Sequence, residues 1–423
     1  MSEKNKPKGT TMKRLTFVVI SILILWITSL FAKTNVILFI GDGMGQNAVS
    51  ITRYMTVGPQ SSLTMETLDN NCWVKTYAKN SLITDSGASG SAMATGKKHI
   101  IKRISTADDG ITPNKSITEY AKEEGYAVGI ITTMCVTHAT PAAFTAHGQT
   151  RYEEESFALQ QLDLKPNILF GGGREYYTPK KDGGKRGDNR NLIAEFKDKG
   201  YEYASTRDEL ISANGKNGYV LGLFADGHMD YDIVRDELVQ PSIAEMTEKA
   251  IEILSGASDK GFFLMVEGGN IDYAGHGNEF ENLLGDVLAL DKAIAKAKNF
   301  ASKEPNTLIM VTADHETGGL AIIGYDDGNS VNVYAPADKV VFPGYELERG
   351  YGFIPTTEYE IVTNWASNPA ILKRTSQKTP LGDHTSSDVW LGASGPNSEL
   401  FKGFIENTYI FDVMAKTLGV KTE

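Results

Sequence analysis

From residue 34 onward, short continuous apolar runs alternate with longer segments whose apolar residues recur every three or four positions. The runs "NVILFI" (35–40), "YAVGIITT" (126–133), "FFLMVE" (262–267) and "TLIMVT" (307–312) are short and apolar throughout. Uniform apolarity over so few residues predicts strands buried on both faces. The intervening segments predict helices. "KSITEYAKEEG" (115–125) reads as a helix stopped at Gly125. "PSIAEMTEKAIEIL" (241–254) sets Ile243, Met246, Ala250, Ile251 and Leu254 on one face, with Pro241 in the first turn. A further helix is expected to be capped by Asn278, with Glu281 at the capping-box position and Phe280, Leu283, Leu284, Val287, Leu288 and Ile294 as its buried stripe.

Buried strands alternating with amphipathic helices imply an α/β fold with a mainly parallel central sheet covered on both faces. Two stretches fall outside that rhythm. Residues 172–190 are basic and loop-like, and residues 325–380 carry many aromatics without a clean period. The second stretch is expected to form an inserted irregular surface lobe within a catalytic domain spanning 34–423.

The first 33 residues read as a targeting segment. Lys13 and Arg14 precede "LTFVVISILILWITSLFA", a long apolar stretch that ends at Ala32. This pattern fits a signal peptide, and its length also fits an uncleaved N-terminal anchor. Either way the chain is expected to be exported, to a periplasmic or extracellular location. The two cysteines, Cys72 and Cys135, leave open a disulfide or two buried thiols.

Composition narrows the partners. With 41% hydrophobic and 22% charged residues, the 423-residue chain has an ordinary globular balance and ample material for a core. Its formal net charge of -11 argues against nucleic acid as a partner.

The chemistry gathers where the strands end. "NVILFI" runs into Gly41-Asp42, "FFLMV" into Glu267, "TLIMVT" towards Asp314-His315, and "YAVGIITT" towards His138 and Thr140. Open α/β sheets bind ligands beyond the carboxyl ends of their strands. Carboxylates crowded there repel one another unless cations neutralise them. Three of the seven histidines stand close to aspartates: His276 after Asp272, His315 after Asp314, and His384 after Asp383. Imidazole with carboxylate suits zinc, and carboxylate with hydroxyl suits magnesium. A lone histidine of this kind is more often a core residue, but three together at strand ends favour metal ligands.

"FIGDGMGQNA" invites comparison with a dinucleotide-binding turn and fails it. The third glycine of that fingerprint falls on Gln46, and Asp42 would put a negative charge in the phosphate cradle. In "LITDSGASGSAMATG" (82–96), Ser86 follows Asp85 and precedes small residues able to start a helix tightly. That makes it the candidate nucleophile, set against a plain Ser/Gly turn. The G-x-S-x-G turn of triad esterases is absent.

"GDGMG", "TDSGASGSAMATG", "HATPAAFTAHGQTR", "VEGGNIDYAGH", "TADHETGG" and "GDHT" stand in the order found in alkaline phosphatases, which the chain resembles from about Asn35 to its end. The resemblance implies hydrolysis of small phosphate monoesters through a phosphoserine at Ser86. It implies a first zinc on Asp272, His276 and His384, a second on Asp42, Asp314 and His315, and a magnesium on Asp42, Thr140 and Glu267. It also implies that Arg151 binds phosphate and that the chain forms a homodimer. His138 stands where some bacterial members have aspartate near the third metal, and Tyr273 where they have lysine. An imidazole there shifts preference towards zinc or cobalt. Gly87 and Gly90 replace common alanines, which is expected to loosen the turn. A phosphodiesterase or sulfatase on the same fold is the nearest rival, and a non-catalytic binding protein the more distant one. Thr140, Glu267 and Arg151 together favour the monoesterase.

Overall fold

The computed structural model describes residues 33–326 and 381–422 and, between them, 331–332, 345–346, 352–353, 360–365 and 367–368. The leader up to residue 32 and most of the 325–380 lobe therefore lie outside the described residues.

The centre is a ten-stranded sheet. Its strands are β1 (Thr34–Gly41), β2 (Asn70–Lys75), β3 (Ala127–Cys135), β4 (Ile168–Gly172), β5 (Glu202–Ala204), β6 (Val220–Leu223), β7 (Gly261–Gly268), β8 (Thr307–Ala313), β9 (Val389–Ser394) and β10 (Phe404–Glu406). They lie in the order β10-β2-β9-β8-β1-β7-β3-β4-β6-β5. Only β9 runs antiparallel to its neighbours, β2 and β8. The mainly parallel sheet expected from the apolar runs is present. Successive residues Val36 to Ile40 are all fully buried. Since neighbours on a strand point to opposite faces, both faces of the sheet are covered.

Two sets of helices provide that cover. α1 (Gln46–Thr56), α4 (Ile243–Ala257) and α6 (Phe280–Ala301) pack together and on the central strands. α2 (Ser86–Thr95), α3 (Ala139–Thr145) and α7 (Tyr409–Leu418) form the other set, with the helix Ile117–Glu123. In α4 the expected face is buried, but the helix starts later than the sequence suggested. Ser242 is the cap, closing a capping box with Glu245, and Pro241 precedes it. Ser242 has both the extended backbone and the hydroxyl a cap needs, an arrangement of about 1 kcal/mol.

Asn278 also differs from expectation. It does not cap α6, which begins after Glu279 without a side-chain cap. Asn278 instead closes the preceding helix, α5 (Asn270–Gly277), in the left-handed conformation at φ +54°. Asparagine tolerates that conformation better than most residues, so it serves equally well at either kind of helix end. The stripe on α6 is as expected, with Leu283, Leu284, Val287 and Ile294 buried and Phe280 and Leu288 partly so.

Residues 172–190 form a loop with two short 3-10 turns, anchored by Arg186. This arginine is fully buried, and its guanidinium bonds the carbonyls of Glu155 and Tyr176 and the carboxylate of Asp188. Cys72 and Cys135 are both buried free thiols.

Candidate active site

The order of the central strands assembles the site. β1 lies between β7 and β8, with Ile40 opposite Glu267 and Gly41 opposite Ala313. Asp42, Glu267 and Asp314 therefore emerge side by side at one end of the sheet. Gly43 follows at φ +68°, and a Cβ there would come within 2.8 Å of Asp272 Oδ1. Only glycine lets the chain turn this close to a carboxylate. Its N–H donates to Asp314 Oδ1 at 3.1 Å.

Ser86 opens α2, where Asp85 is the N-cap and accepts from the N–H of Ala88. The serine Oγ lies 3.5 Å from Asp42 Oδ1 and 3.3 Å from His315 Nε2. The free N–H groups of a helix start favour negative charge at this oxygen. All of α2 is buried. Rather than loosening the turn, Gly90 lets α2 approach α3: a Cβ there would stand 3.3 Å from Ala143 Cβ and 3.4 Å from Thr140 Cα.

Three imidazoles gather here with the same arrangement. His276 Nδ1 donates to the carbonyl of Gly382 at 3.0 Å, and His384 Nδ1 to that of Thr84 at 2.8 Å. Thr317 gives its hydroxyl hydrogen to Asp272 Oδ1 at 2.5 Å, so it accepts from His315 Nδ1 at 3.2 Å. In the neutral rings every Nε2 is then a bare acceptor. Two of them, on His276 and His384, face each other at 3.2 Å beside Asp272. The third, on His315, lies 3.2 Å from Asp314 Oδ2 and 3.5 Å from Asp42 Oδ1. Lone pairs pressed together in this way require positive charge between them. Donation of the remote N–H to a fixed acceptor is the usual support of a metal-bound histidine.

Ionisation tells the same story. Burial, with the charges of Asp314, Asp272 and Glu267, holds Asp42 well above the usual carboxylate range. Burial pushes Glu267 to about 7 and, with Asp272 nearby, Asp314 to about 6. Burial drives His315 well below its ordinary value. His276 moves the other way, to about 9, because Asp272 outweighs its burial; without a metal this ring takes up a proton, which supplies the positive charge the pair requires. Asp42 Oδ2, Asp314 Oδ2, Glu267 Oε1 and Thr140 Oγ1 are buried without a hydrogen-bond partner among the described residues. Such oxygens cost free energy unless a cation uses them.

Three groups of possible ligand atoms gather within 4.8 Å of one another: Asp272, His276 and His384; Asp42, Asp272 and His315; and Asp42, His138 and Glu267. The first matches the set expected for a first zinc. The second differs from expectation: Asp272 stands in it where Asp314 was expected, although Asp314 Oδ2 lies 3.2 Å from His315 Nε2. His138 reaches the third, where Thr140 is also fully buried.

Arg151 completes the pocket. Its Nη1 donates to Asp85 Oδ2 at 3.0 Å and its Nη2 to His138 Nε2 at 2.9 Å. Asp85 also accepts from the N–H of Lys102 at 2.8 Å, so one carboxylate fixes both the helix start and the arginine. Tyr273 lies on α5 with its hydroxyl 3.1 Å from His228 Nε2.

Sequence reasoning missed three of these residues. Asp85 carried a signal, since an aspartate before a helix start is a cap. His228 stands in "DGHMD", as close to aspartates as the histidines singled out. Thr317 carried none.

A two-residue ladder joins the distant ends of the site. His384 pairs with Thr317 and Thr385 with Glu316, and the N–H of Gly318 donates to the carbonyl of Asp383 at 3.0 Å. It brings His384 back beside His315, the rings stacking at 3.7 Å.

Comparison with known proteins agrees with this geometry. The family model described as alkaline phosphatase matches residues 33–420. The chain is 33% identical to alkaline phosphatase 3 of Bacillus subtilis (strain 168), over 91% of this chain and 88% of that one. Its fold is similar to that of the alkaline phosphatase from the Antarctic bacterium TAB5, with a TM-score of 0.73, 29% identity, and coverage of 92% of this chain and 100% of the other. A histidine-to-aspartate variant of the TAB5 enzyme, with magnesium bound in a metal site, matches at a TM-score of 0.72 and the same identity and coverage. The chain belongs to the alkaline phosphatase family, the hydrolases of phosphate monoesters.

Proposed function

We propose that this chain hydrolyses phosphate monoesters through a phosphoserine at Ser86, with two zinc ions and one magnesium held by the carboxylates, imidazoles and threonine hydroxyl gathered there. The observation that carries this reading is the set of Nε2 atoms of His276, His315 and His384 gathered among buried carboxylates, that of His315 lying 3.3 Å from the serine oxygen. Asp272, His276 and His384 would hold one zinc, and Asp42, Asp314 and His315 the other. Asp42, Glu267 and Thr140 would hold the magnesium, with His138 beside them. When bound, such cations supply positive charge that lowers the serine's proton affinity and offsets charge on the transferring phosphoryl oxygens.

The chain's own groups do the rest. Arg151 presents two N–H donors held in plane by Asp85 and His138, a fork that suits two non-bridging phosphate oxygens. Ser86 Oγ attacks phosphorus as the ester oxygen leaves opposite it, forming the Oγ–P bond and breaking the P–O bond to the alcohol. The departing oxygen takes up a proton. Water then attacks the phosphoserine in the same in-line manner and releases inorganic phosphate and the free serine. The helix N-terminus stabilises the serine oxygen in both steps.

Export is part of this reading, resting on the leader pattern of residues 1–33. No helix among the described residues is long and apolar enough to cross a membrane. We also read the chain as a single catalytic unit from residue 34 that forms a homodimer, which light scattering would decide.

The deciding experiment pairs elemental analysis with turnover of p-nitrophenyl phosphate and bis(p-nitrophenyl) phosphate. The reading expects zinc, magnesium and a strong preference for the monoester. A preference for the diester would instead establish the phosphodiesterase alternative.

A further inference from the structure

His228 lies outside every ligand group, yet it is tied at both ring nitrogens. The backbone N–H of Cys135, at the end of β3, donates to its Nδ1 at 3.0 Å. That nitrogen must therefore carry a lone pair, since a hydrogen there would face another donor. The ring's single hydrogen is left on Nε2, which lies 3.1 Å from the hydroxyl oxygen of Tyr273. Histidine thus donates and tyrosine accepts. The tyrosine's own hydrogen cannot point back at His228 and is directed away from it.

The surroundings indicate where. Tyr273 sits between Asp272 and His276 on α5 and is 44% exposed. Its ring packs on His228 at 5.1 Å, His228 packs edge-on against His138 at 5.5 Å, and His138 accepts from Arg151 at 2.9 Å. Arg151, His138, His228 and Tyr273 thus form one continuous chain of contacts.

We propose that His228 is a positioning residue: by donating to Tyr273 it turns the tyrosine hydroxyl into a fixed donor for an oxygen of the bound phosphoryl group. The inference rests on the proposed function, because it takes phosphate as the group bound beside Arg151. The backbone of Cys135 selects the tautomer, and the tautomer sets the direction of the hydroxyl. Tyr273 then adds a neutral donor on the same side as the charged fork of Arg151, strengthening the grip on phosphate without adding charge.

The test is a double-mutant cycle on the metal-loaded protein, with Tyr273→Phe, His228→Leu, the double variant, and His228→Gln as the conservative replacement. The readouts are the inhibition constant of inorganic phosphate and the separate KM and kcat for p-nitrophenyl phosphate. Each single variant is expected to weaken phosphate binding by about tenfold, the scale of one hydrogen bond to a charged group, with a smaller change in kcat. The double variant should be no worse than either single one, because each removes the same donor. His228→Gln, whose amide still offers an N–H, should bind phosphate nearly as the parent does. Losses that add in the double variant, or a His228→Gln as impaired as His228→Leu, overturn the relay. Should His228→Leu fail to fold, unaltered phosphate binding in Tyr273→Phe overturns it alone. A parent protein that binds phosphate but turns over no monoester would instead overturn the proposed function.

Discussion

His276 and His384 face each other across 3.2 Å through ring nitrogens that carry no hydrogen in the neutral rings, each having given its other N–H to a backbone carbonyl. The pair is preorganised for a cation, and without a metal Asp272 draws a proton onto His276 to take its place. Stripping metal with a chelator should therefore lower Tm as well as activity. Binding at a thousand times Kd contributes about 4 kcal/mol, so the shift should be plain in a calorimetric scan. Zinc should restore Tm and magnesium alone should not. An unchanged Tm after verified metal removal would count against a structural cation at this pair.

Ser86→Ala should abolish the phosphoenzyme while zinc content stays close to that of the parent. Labelled phosphate trapped at acid pH gives the answer. Label recovered on any other residue would displace Ser86 as the nucleophile.

Arg151→Ala should cost monoester hydrolysis about 2–4 kcal/mol in kcat/KM, the range for losing one charged donor to a developing anion. Diester hydrolysis should fall much less, because a diester offers one fewer charged oxygen to the fork. Equal losses on the two substrates would show that Arg151 does not set the preference.

His138→Asp should raise magnesium affinity at the third ligand group and change which added metal activates best. His138 already reaches Asp42 and Glu267 in that group. A carboxylate would offer a hard oxygen and a negative charge where the imidazole offers nitrogen. It would also give Arg151 an anionic neighbour in place of a neutral one. Activity titrated with magnesium, zinc and cobalt in both proteins tests this, and identical profiles would leave His138 with a structural role.

Much of this site could be read in advance because strands buried on both faces leave a clear signature, and their ends are marked by the first charged residue. Asp42, Glu267 and Asp314 were legible for that reason. Asn278 was not, since asparagine suits both the start of one helix and the left-handed close of another. Thr317 was not legible either. Its bridge between Asp272 and His315 joins residues far apart in the chain, and no local pattern records such a bond.

The left-handed backbone at Asn278 gives a stability test independent of catalysis. Asn278→Gly should be close to neutral, whereas Asn278→Val should cost about 1–2 kcal/mol because a branched side chain is strained at φ +54°. Urea unfolding of the metal-loaded proteins would show the difference. Equal stability of the two variants would mean that the turn relaxes to another conformation.

The short ladder of Glu316 and Thr317 with His384 and Thr385 bears on how this chain tolerates change. The interval it encloses leaves and returns at one point, its two ends clasped by backbone bonds next to His315. The entropy of closing a chain segment rises only slowly with its length. The ladder thus sets the register of His384 against Thr317 whatever the length of chain between them, so an insertion placed well away from Gly318 and Gly382 is expected to leave both histidine supports in place.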